Sequence, residues 1–219
     1  MRLLWSPRSP YVRKVTMVAH ETGLIDRIAL VARPASFTTS PSAELLAANP
    51  LGKIPALLLD DGEAIYDSAV ICAYLDSLHD GPHLLPPGAA GVRCLRWQAL
   101  GDGILERLTA LQVEHRRPEG PWIAICEAAE AKLTASLDAA RRDLGDLLRT
   151  EFGLAHIAMI AALGHLDFRF AASGWRAAWP ELAAWFDEQG QRPSVSATAP
   201  ADEPGAPAHV PLSALRFRR

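Results

Sequence analysis

What this chain lacks narrows it before any motif is considered. It has three cysteines, Cys72, Cys94 and Cys126, an odd number with no CxxC pair among them. That argues against a disulfide framework and for a reducing compartment. Charge of one sign is not in excess: 22 basic against 25 acidic residues leave −3 with neutral histidines. No broad field for nucleic acid or an anionic membrane follows from that balance. The arginine pairs at 116–117, 141–142 and 218–219 read as solvated faces or tail. No apolar signal core follows the N-terminus, because Arg2, Arg8, Arg13 and Lys14 interrupt it. The longest apolar stretch, Leu154 to Leu166, is too short to span a bilayer and contains two histidines. The expectation is a cytoplasmic protein that engages neither nucleic acid nor membrane.

What is present is enough for a large core. The chain has 219 residues, 49% of them apolar and 21% charged, which suits one or two soluble globular domains. Residues 2–5, RLLW, form a short apolar run ended by Ser-Pro and predict a buried strand. From Pro10 the apolar positions Val12, Val15, Val18 and Ala19 fall at helical spacing, with Gly23 as the C′ residue. Arg27 to Val31 predicts a second strand, parallel to the first through a right-handed crossover. Residues 42–48 leave room for a short helix. Ala56 to Leu59 and Ala64 to Tyr66 predict two strands joined at Asp61-Gly62, a strong hairpin signal. Asp67-Ser68 opens a helix with Ile71, Cys72, Leu75 and Leu78 on one face.

No convincing strand follows, and no internal repeat is visible. Residues 79–90 carry three prolines and two glycines and predict a linker. Helices are expected over 91–117, 122–148, about 154–171 and about 179–189. The second has a stripe of Cys126, Ala129, Leu133, Leu137, Ala140, Leu144 and Leu147. From Pro193 onward five prolines predict a segment extended over the surface or disordered. The expected organisation is a small α/β domain over 1–78, a linker over 79–90, an all-helical domain over 91–198 and a proline-rich tail over 199–219. All three cysteines fall in helices and are expected to be buried structural thiols.

Four stretches stand out in order: S-P-Y-V-R-K at 9–14, N-P-L-G-K-I-P-A-L at 49–57, Y-D-S at 66–68, and A-L-G-H-L-D-F-R at 162–169 followed by R-P-S at 192–194. Together they resemble the cytosolic glutathione transferase superfamily over about residues 2 to 198. The resemblance implies a thioredoxin-like N-terminal domain and a helical C-terminal one, which the periodicity reaches independently. It also implies glutathione as co-substrate, no metal, and a homodimer.

The resemblance implies roles for single residues. Ser68 would bind the α-carboxylate of the γ-glutamyl group and Asp67 its ammonium. Both are also good helix caps, and capping and binding can coexist. Ile54-Pro55 would be a cis bond that turns the Ile54 backbone toward the cysteinyl unit. Lys53 would reach the glycine carboxylate, with a solvated loop lysine as the plainer alternative. Pro10 suits the first helical position and so makes Ser9 the N-cap. The cap uses an oxygen lone pair, which leaves the hydroxyl hydrogen for a ligand sulfur. Ser9 is thus the expected catalytic hydroxyl, and Ser6 its weaker rival. Arg13 is expected in solvent or between the domains. The electrophile pocket draws on Tyr11, Phe37, Asp102, Leu105 and Glu106, with Arg117 and Trp122 as further contributors.

The function implied is attack by glutathione thiolate on a small hydrophobic electrophile. A non-catalytic binding or regulatory module, and a glutathione-dependent isomerase or dehalogenase, are the alternatives. With serine rather than cysteine at position 9, thiol-transferase chemistry is disfavoured. One local departure concerns stability. Family members often start the helix near 154 with Ser/Thr-x-x-Asp, whereas this chain has Gly153 and His156. Restoring that box with Gly153→Ser and His156→Asp is expected to raise the melting temperature.

Overall fold

The computed structural model describes residues 1–36, 39–205, 212 and 215–217. Its first part holds strand β1 (Arg2–Trp5), helix α1 (Pro10–Glu21), β2 (Ala29–Ala32), α2 (Ala43–Ala48), β3 (Ala56–Leu58), β4 (Ala64–Ile65) and α3 (Ser68–Asp76). The strands form one mixed sheet in the order β2-β1-β3-β4. β1 and β2 are parallel, with Leu3 opposite Leu30, as the crossover requires. β3 is antiparallel to both β1 and β4. Alternation splits β1 between the two faces. Leu3 packs with Val12, Val15 and Ile71 under α1 and α3, whereas Leu4 packs with Leu45, Ala48 and Ala56 under α2.

Local chemistry ends these elements where the sequence says. Gly62 takes φ +95° at the β3–β4 turn, a region closed to most side chains. Gly23 takes φ +69° after α1, and the amide of Leu24 returns to the carbonyl of Ala19, a Schellman closure.

The second part is helical: α4 (Gly88–Glu114), α5 (Ile123–Leu147), α6 (Leu154–Phe170), α7 (Trp175–Ala178), α8 (Pro180–Gln189) and α9 (Pro193–Ala197). α6 is apolar all round and is the centre of the molecule, with Ile157 to Leu163 fully buried. The backbones of α4 and α6 touch: a Cβ on Gly101 would lie 2.8 Å from the carbonyl of Ala158. Indole groups fix the outer helices. Trp179 donates to Asp138 at 2.9 Å, and Trp175 donates to Asp167 at 2.7 Å.

Several expectations need correction. The segment from Pro193 begins with a helix, α9, whose Ser194 and Val195 are buried because Arg192 and Ser194 both bond Glu21 of α1. Leu215, assigned to a surface tail, is 2% exposed. Cys72 and Cys94 are buried, but Cys126 is half-exposed where α5 begins outside the core. The apolar stretch at 154 runs as helix to Ser173, which is long enough to cross a membrane, yet most of it lies inside the protein.

The start of α6 also differs from expectation in its consequence. His156 Nδ1 accepts the amide of Gly153 at 3.2 Å, so the histidine supplies half of a capping box. A Cβ on Gly153 would stand 2.3 Å from the carbonyl oxygen of Leu84, which itself accepts the amide of Leu154. The position has no room for serine. The expected stabilisation by restoring the box therefore fails on packing.

Candidate active site

Sheet topology gathers the motif residues at one end. β1 runs out toward Ser6, and β3 begins opposite Leu4, so Ile54-Pro55 lies beside the end of β1. β4 returns antiparallel, so Tyr66, Asp67 and Ser68 emerge at that same end. The Ile54–Pro55 bond is cis, as the resemblance implies, and the Tyr66–Asp67 bond is cis as well. The loop before β3 is held by Asn49, 1% exposed. Its amide donates to the carbonyl of Lys53 at 2.8 Å and its oxygen accepts the amide of Leu51 at 3.0 Å. Lys53 is exposed, Ile54 half-buried and Pro55 buried.

Ser9 is the N-cap of α1 and half-buried. Its Oγ accepts the amide of Val12 at 3.3 Å, and Pro10 occupies the first helical position. Ser6 has another task. Its hydroxyl donates to Glu203 at 2.6 Å and accepts the amide of Arg8, which ties the β1–α1 loop to the C-terminal segment. Asp67 is the N-cap of α3, accepting the amide of Ala69 at 3.1 Å, and it is exposed. Ser68 is buried and turns its Oγ toward Lys14 Nζ at 3.4 Å.

Lys14 is the polar residue that sequence reasoning passed over. Its ammonium is buried and lies 2.5 and 2.8 Å from the two carboxylate oxygens of Asp102 on α4. The signal was available: position 14 is three residues from Tyr11 and four from Val18, on the face that packs inward. Arg13 is also buried between the two parts, with its Nη atoms on the carbonyls of Ile160 and Val195. Gly164 makes space for it, since a Cβ there would fall 2.0 Å from Nη1. Burial pushes the Arg13 guanidinium down to about 10, which leaves it charged at neutral pH.

The residues expected to line a pocket separate. Tyr11 is half-buried and pushed up to about 12 by burial and by Asp102. It is a protonated donor at any physiological pH. Glu106 is exposed and paired with Arg107. Leu105 is 0% exposed and faces the core of the helical part, so it lines no pocket. Its neighbours Ile104 and Leu108 are buried as well, because α4 is covered on more than one face. Arg117 stacks 4.6 Å over Trp122, whose amide donates to Glu114 at 2.8 Å. Phe37 lies outside the described residues.

One further group could hold a cation by its donor types, Asp76, His79 and His83. The Asp76 oxygens already accept the amides of Leu84 at 2.7 Å and Leu85 at 3.1 Å, which fastens the linker to the end of α3.

With this geometry in place, comparison with known proteins is decisive. Residues 8–78 match the profile of the glutathione S-transferase N-terminal domain, and residues 103–188 match that of the C-terminal domain. A glutathione transferase family member from Pseudomonas fluorescens Pf-5, solved with bound glutathione, is 43% identical. It superposes with a TM-score of 0.88 over 91% of this chain and 98% of its own. The chain belongs to the glutathione S-transferase superfamily. Another such transferase structure from that organism, with bound S-(propanoic acid)-glutathione, is 41% identical with a TM-score of 0.84, over 91% and 98% of the two chains. The uncharacterised GST-like protein YibF of Escherichia coli K12 is 30% identical over 91% of this chain and 98% of its own. The N-terminal match covers the mixed sheet with its helices, and the C-terminal match lies in the helical part.

Proposed function

We propose that this chain is a glutathione S-transferase in which Ser9 activates bound glutathione as thiolate for attack on an electrophile. The observation that carries the proposal is the cap at Ser9. Its oxygen takes the amide of Val12, so its hydroxyl hydrogen is free to donate, and it stands at the positive end of a 12-residue helix. A free thiol has a pKa of about 8.5, and a helix N-terminus lowers it. A hydrogen bond to a charged group contributes about 1.5–3 kcal/mol, which corresponds to roughly ten- to a hundredfold in the thiolate equilibrium.

The other site residues supply position. The Ile54 backbone beside cis-Pro55 pairs with the cysteinyl unit as an added strand does. Ser68 and the α3 N-terminus take the γ-glutamyl carboxylate, Asp67 takes its ammonium, and Lys53 takes the glycine carboxylate. Relatives seen with bound glutathione and with bound S-(propanoic acid)-glutathione support a site that holds both a thiol and a thioether, as a conjugating enzyme needs. Tyr11 and Asp102 border the electrophile. The protein acts in the cytoplasm, in keeping with its unpaired thiols. It works as a homodimer through α3 and α4, where Val70, Val92 and Leu95 are 52%, 68% and 47% exposed.

Retention on immobilised glutathione, followed by turnover of 1-chloro-2,4-dinitrobenzene, tests the proposal. Ser9→Ala is expected to keep binding and lose about ten- to a hundredfold in kcat/KM. Equal turnover by the variant sinks Ser9 as activator, and absence of any retention sinks the transferase assignment.

A further inference from the structure

Three arginines lie around the loop that holds Ser9. Arg8 immediately precedes Ser9, Arg116 lies just past α4, and Arg169 is in the last turn of α6. Lys14 meets Asp102 and Tyr11 meets Thr109, so α1 runs antiparallel to α4. Residues ahead of α1 therefore face the C-terminal end of α4. The C-terminal segment closes the same region. The amide of Ala201 donates to the carbonyl of Pro7, and the amide of Leu212 donates to the carbonyl of Arg169.

Among the described residues, two of the three arginines form no ion pair. Arg8 is paired with Asp202 at 2.9 Å, and the second acid of the segment, Glu203, is held by Ser6. Arg169 is 5% exposed and lies over the Phe168 ring at 4.7 Å, and among the described residues its Nε finds no acceptor. Among the described residues no carboxylate forms an ion pair with Arg169 or Arg116. Burying a guanidinium without a counter-charge is costly, and such a group is found where a ligand supplies the charge more often than in ordinary cores. Burial, Arg116 and Arg8 together push Arg169 down to about 10, still charged, with Asp202 and Glu203 opposing.

We propose that Arg169 and Arg116 form an anion subsite beside the Ser9 loop, and that the electrophile accepted by this chain carries a carboxylate. A planar guanidinium suits a carboxylate through two parallel N–H···O bonds. The proposal rests on the transferase assignment and adds the substrate class to it. With 4-chloro-3-nitrobenzoate as probe, the glutathione sulfur bonds to the ring carbon that bears chlorine. The C–Cl bond breaks, chloride leaves with the electron pair, and the thiol proton passes to solvent. The carboxylate takes no part in bonding and seats the ring on the arginines.

The test compares kcat/KM for 4-chloro-3-nitrobenzoate and 4-chloro-3-nitrobenzamide in wild type, Arg169→Met, Arg169→Lys and Arg116→Gln. The intrinsic reactivities cancel when each variant's benzoate-to-benzamide ratio is divided by that of wild type. Arg169→Met is expected to lower the ratio about tenfold or more, Arg169→Lys to restore part of it, and Arg116→Gln to lower it several-fold. Arg116 is exposed, so its variant serves even where Arg169→Met does not fold. A second arm needs no glutathione: 3-nitrobenzoate, but not 3-nitrobenzamide, is expected to raise the melting temperature of wild type and not of Arg116→Gln. Turnover with an unchanged ratio in the variants overturns the subsite and leaves the transferase assignment standing. An arginine-dependent shift with 3-nitrobenzoate in a chain that neither binds nor uses glutathione does the reverse. No shift and no turnover overturn both.

Discussion

Lys14 Nζ stands 2.5 and 2.8 Å from the two carboxylate oxygens of Asp102, so a buried ammonium on α1 is neutralised from α4. The same nitrogen lies 3.4 Å from Ser68 Oγ, so the pair also fixes the start of α3. One ion pair thereby ties the sheet part, the helical part and the candidate γ-glutamyl subsite together. Breaking a buried pair costs about 3–5 kcal/mol, because the surviving charge stays without its partner. Asp102→Asn is expected to lose about 3 kcal/mol in urea unfolding, at the lower end because Asp102 keeps some contact with water. Lys14→Met combined with Asp102→Leu is expected to recover much of that loss. If the single substitution costs nothing, the pair is not what joins the two parts.

Gly101 and Gly103 share α4 and are expected to respond with opposite signs. A Cβ on Gly101 would meet the backbone of Ala158 at 2.8 Å, whereas among the described residues a Cβ on Gly103 has nothing within 4 Å. Gly103→Ala is expected to stabilise by up to about 1 kcal/mol through helix propensity. Gly101→Ala gains the same propensity but forces α4 and α6 apart, with a net loss of about 1–3 kcal/mol. Thermal unfolding of the two variants side by side checks the contrast.

Gly153→Ser is expected to destabilise by about 1–3 kcal/mol, because its Cβ would sit 2.3 Å from the Leu84 carbonyl oxygen. His156→Asp alone is the informative companion, since a carboxylate at that position can accept the Gly153 amide that the imidazole now accepts. A rise in melting temperature for the double variant would show that the linker near Leu84 yields more easily than close packing allows.

Two histidines of α6 set an acid limit. Burial pushes His156 down to about 4 and His165 down to about 3, so both are neutral in the folded chain at pH 7. Once unfolded, each takes up a proton near its ordinary value of about 6.5. Between those values the unfolded chain holds more protons, so stability falls as the pH falls. Above about pH 6.5 neither form is protonated and the histidines impose no slope. The melting temperature is expected to be level near pH 7 to about 8 and to drop between about pH 6.5 and 4. His165→Leu is expected to flatten part of that drop, and an unchanged acid limb would remove His165 from the account.

Element order was legible because periodicity and punctuation act locally. The helical spacing of Val12, Val15 and Val18, the Asp61-Gly62 turn and the stripe through Leu133, Leu137 and Leu144 need no tertiary partner to be recognised. The segment from Pro193 departs from its local reading for a related reason. Five prolines in sequence read as an extended segment, yet Pro193 starts α9 in its first turn, and what makes that short helix form is the contact of Arg192 and Ser194 with Glu21, 171 and 173 residues away.

The candidate site divides in the same way. Ser9 as a cap, Asp67 as a cap and Pro55 before a strand follow from residue type and near neighbours, and the structure places all three at one end of the sheet. Leu105 could not be assigned to core or pocket from α4 alone, since a helix covered on several faces is apolar on several faces.

Chemistry within a few residues sets the order of strands and helices, the caps at Ser9 and Asp67, and the turn at Gly62. Packing alone brings Lys14 to Asp102, presses Gly153 on Leu84 and sets Arg13 against the carbonyls of Ile160 and Val195. Those relationships depend on how far apart packed helices stand and which ends they bring together. Both are settled by the volume of the core as a whole, which no short stretch of the chain specifies.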